Sequence, residues 1–172
     1  METARAALVL ACVLALAGCT PGASGDGAPA ASTATPLITD LDMGYSVRYP
    51  SEYHVVLRGT TMCFSLAQTN DPPGACHEAS AFIEVREAAG VTLGEAAETA
   101  ASLGNPQVPV VRTSLALSGE EAVLLEDIYS TDLLSKVVVL HNDRLYELTF
   151  VWDHDALPLS TTLTQSFTFL EQ

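Results

Sequence analysis

Apolar residues along most of this chain recur at every second position, and that period predicts strands, whose side chains point alternately to opposite faces. YSVRY, Tyr45 to Tyr49, alternates cleanly and then stops at Pro50. Short apolar runs follow from His54 to Arg58 and from Thr60 to Leu66. Ala81 to Glu87 alternates again, with Ala81, Ile83 and Val85 on one face. Val108 to Leu117, Glu121 to Ile128, Ser135 to His141 and Arg144 to Trp152 complete the set of predicted strands. Asn142-Asp143 separates the last two as a two-residue hairpin turn, because both residue types tolerate positive φ. In the final strand Tyr146, Leu148, Phe150 and Trp152 share one face and read as core.

Two segments break the period of two. Thr92-Leu93-Gly94-Glu95 is a capping box, in which the threonine hydroxyl accepts from first-turn amides while the glutamate reaches back. The predicted helix runs from there through an alanine-rich stretch to Leu103 and stops at Gly104-Asn105-Pro106. Leu93, Ala97 and Ala100 lie on one side of it, small enough for close packing on a sheet. A second helix is predicted from near Pro158 to about Ser166, ahead of the apolar close Phe167-Thr168-Phe169-Leu170. Strands, helix, strands, helix with antiparallel hairpins imply an α+β fold, an antiparallel β-sheet covered by helices.

The start of the chain follows another pattern. Ala6 to Ala17 is an uninterrupted apolar run of twelve residues, behind an n-region with Arg5 and Glu2. A bilayer span needs about 20 apolar residues, so the run suits the h-region of a signal peptide. Ala15-Leu16-Ala17 is the small-x-small pattern of an ordinary cleavage site. Leu16-Ala17-Gly18-Cys19 resembles the bacterial lipobox, which implies diacylglycerol on the Cys19 sulfur and cleavage just before it. The expectation is a lipoprotein signal over residues 1–18 and an acyl anchor at Cys19. Each buried CH2 contributes about 0.8 kcal/mol, and two chains hold stably where one holds reversibly. Residues 19–36 are then the lipidated Cys19 and a disordered linker, Thr20 to Pro36, of Gly, Ala, Ser, Thr and Pro with one charge, Asp26. Such a composition buries too little to offset its ordering entropy, and its reach is about 20–25 Å. The remaining 136 residues, 37–172, suffice for one domain with a single core.

Charge narrows the partners. Residues 37–172 carry 19 acidic against 6 basic side chains, a net of −13. Nucleic acid and anionic lipid surfaces repel such a domain, so the expected attachment is the acyl chain and the expected partner an envelope protein.

Cys12 leaves with the signal and Cys19 is acylated, which leaves Cys63 and Cys76 as a pair outside the cytoplasm, where a disulfide is expected. The turn cluster Asn70-Asp71-Pro72-Pro73-Gly74 lies between them. Free thiols are one alternative. Another is a metal set adding His77 and perhaps His54, although the paired C-x2-C spacing of zinc sites is missing. Other chemistry is sparse. The chain has no G-x-S-x-G elbow, no phosphate-cradling glycine loop and no H-E-x-x-H; Ser118-Gly119 reads as a hairpin turn. Asp153-His154-Asp155 could offer Asp153 and Asp155 to a divalent cation, but neighbouring side chains of an extended loop point apart. Asp155 near a helix start also suits the helix dipole. Glu120-Glu121 and Glu126-Asp127 read as exposed. No cofactor is implied.

Three stretches carry a family resemblance. MGYSVRYPSEYHVV resembles the opening G-[FY]-S-hydrophobic-x-[YF]-P-x-x-[WY] of the PsbP-like fold. ALSGEEAVLLE resembles its middle strand after a glycine turn, and VVVLHNDRLYELTFVWD with LTQSFTFL its late hairpin and SF-x-F ending. The family includes the PsbP protein of photosystem II, Ran-binding relatives and bacterial lipoproteins of the LpqN type. Its members mostly bind or help assemble partners and share no catalytic constellation, so the resemblance implies a fold rather than an activity. The expectation is a lipid-anchored, non-enzymatic binding or assembly module on the extracytoplasmic face of a bacterial membrane. The alternatives are an envelope enzyme with a site assembled from distant residues and a divalent-cation-binding accessory protein.

Overall fold

The structure is a computed structural model and describes residues 35–66, 76, 79–152 and 157–171. Among the described residues, ten strands and two helices follow in the order β1 Leu37–Asp40, β2 Tyr45–Arg48, β3 Tyr53–Arg58, β4 Thr61–Leu66, β5 Ala81–Glu87, α1 Leu93–Ala101, β6 Val111–Leu117, β7 Glu120–Tyr129, β8 Leu133–His141, β9 Arg144–Val151, α2 Leu157–Ser166 and β10 Thr168–Phe169. Seven strands make one sheet in the order β3-β4-β5-β9-β8-β7-β6, and every neighbouring pair is antiparallel. A second sheet has the order β1-β2-β10.

Alternation along the seven strands sorts side chains onto two faces. Phe64, Ile83, Tyr146, Leu148, Val137 and Val139 point to one face, into a core shared with Tyr45 and Val47 of β2 and with Leu159, Leu163 and Phe167. Leu159 and Leu163 are four residues apart on α2 and Phe167 follows just after its end, so one stripe of the helix meets the sheet. Fully burying each such side chain contributes about 1.5–3 kcal/mol. The aromatic members pack at angles: Tyr45 stacks on Phe167 at 5.2 Å while Tyr146 meets Tyr45 edge-on at 6.2 Å.

The other face carries α1. Ala96, Ala97 and Ala100 pack on Leu125, Ile128, Val138 and Leu145, with Leu93 partly buried at the margin. The predicted capping box is present: Glu95 N donates to Thr92 Oγ1 at 3.2 Å, and Thr92 N donates to Glu95 Oε2 at 2.9 Å. The helix ends earlier than expected, at Ala101, with Ser102 as its cap.

An antiparallel sheet covered by helices overstates the helical share. The helices have only 9 and 10 residues, and the core face is closed partly by β1, β2 and β10. β1 and β10 are too short to show an alternating pattern, and each is held by pairing with β2. Both predicted hairpin turns stand. Ser118 and Gly119 have φ of 52° and 89°, and Asn142 and Asp143 have 49° and 59°, as two-residue turns between twisted strands require.

Candidate functional site

Of the residues singled out in the sequence, Cys63 and Cys76 are joined in a disulfide, with Cα atoms 5.8 Å apart. Cys63 lies in β4 on the α1 face of the seven-stranded sheet and is buried. The bond removes both thiols from the metal alternative. His54 is exposed on β3. Cys19, His77 and the Asp153-His154-Asp155 triplet lie outside the described residues. Among the described residues, no three His, Cys, Asp or Glu side chains group closely enough to hold a metal ion, and no helix is long and apolar enough to cross a membrane.

The aromatic stripe on β9 is only partly core. Tyr146, Leu148 and Phe150 are buried, but Trp152 stands 46% exposed. Its amide donates to Leu133 O at 2.8 Å, which pairs it with the strand position opposite Tyr129. Tyr129 is itself 43% exposed, and Trp152 stands at the edge of a cleft.

That cleft, of about 590 Å³, opens between α2 and β6–β9. Its floor is apolar, with Leu115, Leu117, Leu124, Val137, Phe150 and Phe167, and its rim is polar. Ser160, Thr161, Thr164 and Gln165 of α2 line one wall, and Glu126 and Ser135 the other. Thr164 Oγ1 donates to Ser160 O at 2.7 Å, a back-bond that occupies this hydroxyl within its own helix. Apolar floors with a few polar groups at the edge suit binding by burial, with orientation from the rim. Periodicity assigned Trp152 to the core because it cannot show that α2 stops short of covering it.

Two polar clusters lie elsewhere. Glu120, expected to be exposed, is half-buried and faces the last residue of β8: His141 Nδ1 is 2.9 Å from Glu120 Oε1. His141 Nε2 is 3.0 Å from Asn142 Nδ2, and the ring stacks on Phe169 at 4.1 Å. Both ring nitrogens thus have a polar partner. With the ring stacked on Phe169, the cluster reads as a clasp on β10. The Ala122–Val139 register places Glu120 and His141 opposite one another, and a register is invisible in one strand's sequence.

Glu147, in the middle of β9, is the second case. It is 2% exposed, with Arg86 Nη2 at 2.9 Å and the buried Lys136 Nζ at 3.7 Å from Oε2. Its Oε1 has no hydrogen-bond partner. A cation there would meet two positive side chains already in place, so the arrangement is structural. Tyr45 is likewise core: burial pushes its phenol well above the ordinary range, with Asp40 and Tyr146 adding to the effect.

No protein-family profile matches the chain, and no curated protein does. Among solved structures it is similar to the cyanobacterial PsbP (CyanoP) of Synechocystis, at 15% identity and a TM-score of 0.53, over 85% of this chain and 98% of that one. At that identity the likeness concerns the fold: this is a PsbP-like arrangement of antiparallel sheets with two helices.

Proposed function

We propose that this protein is a lipid-anchored binding or assembly module of the bacterial envelope, held at Cys19 on the extracytoplasmic face and carrying out no chemistry of its own. The observation that carries the reading is the open cleft under α2, with its apolar floor and an exposed Trp152 at its mouth. Exposed aromatic side chains beside a preformed depression are what binding surfaces use as anchors. The linker of residues 19–36 supplies reach from the membrane, and the acidic domain adds repulsion from anionic head groups. The members of the PsbP-like family, which mostly bind or assemble partners, lend support by analogy only.

The test joins anchor and cleft. Full-length protein should fractionate with membranes and be acylated, and Cys19→Ser should release it from the membrane fraction. A variant that stays bound after a high-salt wash and is processed normally would refute the anchor. In capture from solubilised membranes, a partner recovered with the parent should be lost with Trp152→Ala. Retention of the same partner by Trp152→Ala would remove the cleft from the reading.

A further inference from the structure

β6 is an edge strand of seven residues, exposed over most of its length. It ends the seven-stranded sheet, and residues 111–114 and 116 are exposed. Natural edges are usually blunted by lysine, proline, a bulge or a covering segment. VRTSLAL holds no lysine or proline, and its register with β7 runs without a bulge from Val111 to Leu117. The two-residue turn makes Leu117–Glu120 a hydrogen-bonded pair. Main-chain groups of residues 111, 113, 115 and 117 are therefore used by β7, and those of Arg112, Ser114 and Ala116 point to the open side.

The two faces beside this edge differ chemically. α1 packs over β7 and β8 and leaves a groove over β6 lined by Glu95, Glu98, Arg112 and Ser114. Glu121 stands opposite Ala116 on the same face. Arg112 is committed to Glu98 through a bidentate pair, so with Glu95 and Glu121 this side of the edge is net acidic. On the other face lies the apolar cleft already described, which also borders β6 through Leu115 and Leu117. Neither groove reaches β3, the opposite edge.

We propose that β6 is a docking edge for an extended segment of a partner protein, which adds as an eighth strand and alternates apolar with basic side chains. This rests on the binding-module reading and specifies its mode. Arg112, Ser114 and Ala116 supply the main-chain hydrogen bonds. Strand alternation then sends every second partner side chain into the apolar cleft and the others over the acidic groove. Charge complementarity selects the basic segment, and the same net negative charge opposes pairing of β6 with a second copy of this chain.

The test titrates the full-length protein, in detergent, with a peptide of alternating valine and lysine matched in length to β6. Hydrogen exchange should slow at the amides of Arg112, Ser114 and Ala116 and change little at 111, 113, 115 and 117. Affinity should fall as salt rises. Of two peptides N-methylated on alternate residues, the one blocked on the docking side should lose about tenfold or more in affinity and the other should not. Ser114→Pro, which removes an outward amide without touching the β7 ladder, should also abolish binding. If that variant does not fold, the methylated pair decides. Equal binding of both methylated peptides, equal binding of a valine–glutamate peptide, or protection spread away from β6 would overturn the proposal. So would a dimer of the parent protein that protects the same three amides. The titration does not depend on the acyl anchor or on a captured partner. Its failure therefore removes strand addition and leaves the anchored-module reading to the fractionation and capture experiments.

Discussion

Breaking the Cys63–Cys76 bond should destabilise the domain chiefly by freeing its unfolded chain. The two cysteines are 13 residues apart in sequence, and closing a loop of that length removes about 3 kcal/mol of unfolded-state entropy in the chain-entropy model. Against a typical total of about 5–15 kcal/mol, that is a large share. At about 2.1 cal/mol/K per residue for the unfolding entropy, the same loss lowers the midpoint of a domain of this size by roughly 10 °C. The double variant Cys63→Ala/Cys76→Ala and the reduced parent should therefore both melt well below the oxidised parent. Cys63 is buried, so the double variant adds a small packing loss that the reduced parent lacks. Urea unfolding with and without reductant measures the difference, and thiol titration of the native protein checks the starting state. Two reactive thiols in the unreduced protein, or a midpoint indifferent to reductant, would refute the reasoning.

Two further predictions concern stability. Thr92→Ala removes the hydroxyl that caps α1 and should cost about 0.5–2 kcal/mol by urea unfolding. Bonds from the Thr92 amide and hydroxyl hold the Glu95 carboxyl below the usual glutamate range. Its stabilising contribution is thus present at neutral pH and lost as pH falls from the ordinary glutamate range through the lowered value. A weakened acid-limb dependence in Thr92→Ala would support this, and an unchanged one would contradict it. Glu147→Ala leaves Lys136 buried without its anion and should cost about 3–5 kcal/mol, whereas Lys136→Met with Glu147→Leu should recover most of that loss. Equal destabilisation of the single and double variants would show that packing, not charge, holds this position.

Local chemistry explains what could be read along the chain. The Thr92–Glu95 box and the turns at 118–119 and 142–143 depend on atoms within four residues of one another, and all three form as the sequence implied. The strands from Tyr45 to β9 were also legible, because alternation reflects burial on one face. Their ends moved by a few residues: β6 begins at Val111 rather than Val108, after Pro106 and Pro109, while β7 and β8 run longer than expected because pairing resumes past a register shift at Leu125–Ile128 and carries on to Tyr129 and Leu133. The cysteine pair was legible from the expectation of export and the count of cysteines left over.

Tertiary structure alone decided the rest. β5 pairs with β9, some sixty residues later in the chain, and nothing within either strand specifies that choice. β1 and β10 exist because β2 offers them two free edges. Glu120 meets His141, Glu147 is enclosed, and Trp152 is left uncovered through the register and overhang of elements distant in sequence. The amino-acid sequence thus determined the local elements, whose causes are sterics and hydrogen bonds between near neighbours. The folded chain decided the strand order, the cleft and the open β6 edge, because these depend on which distant surfaces exclude water from one another.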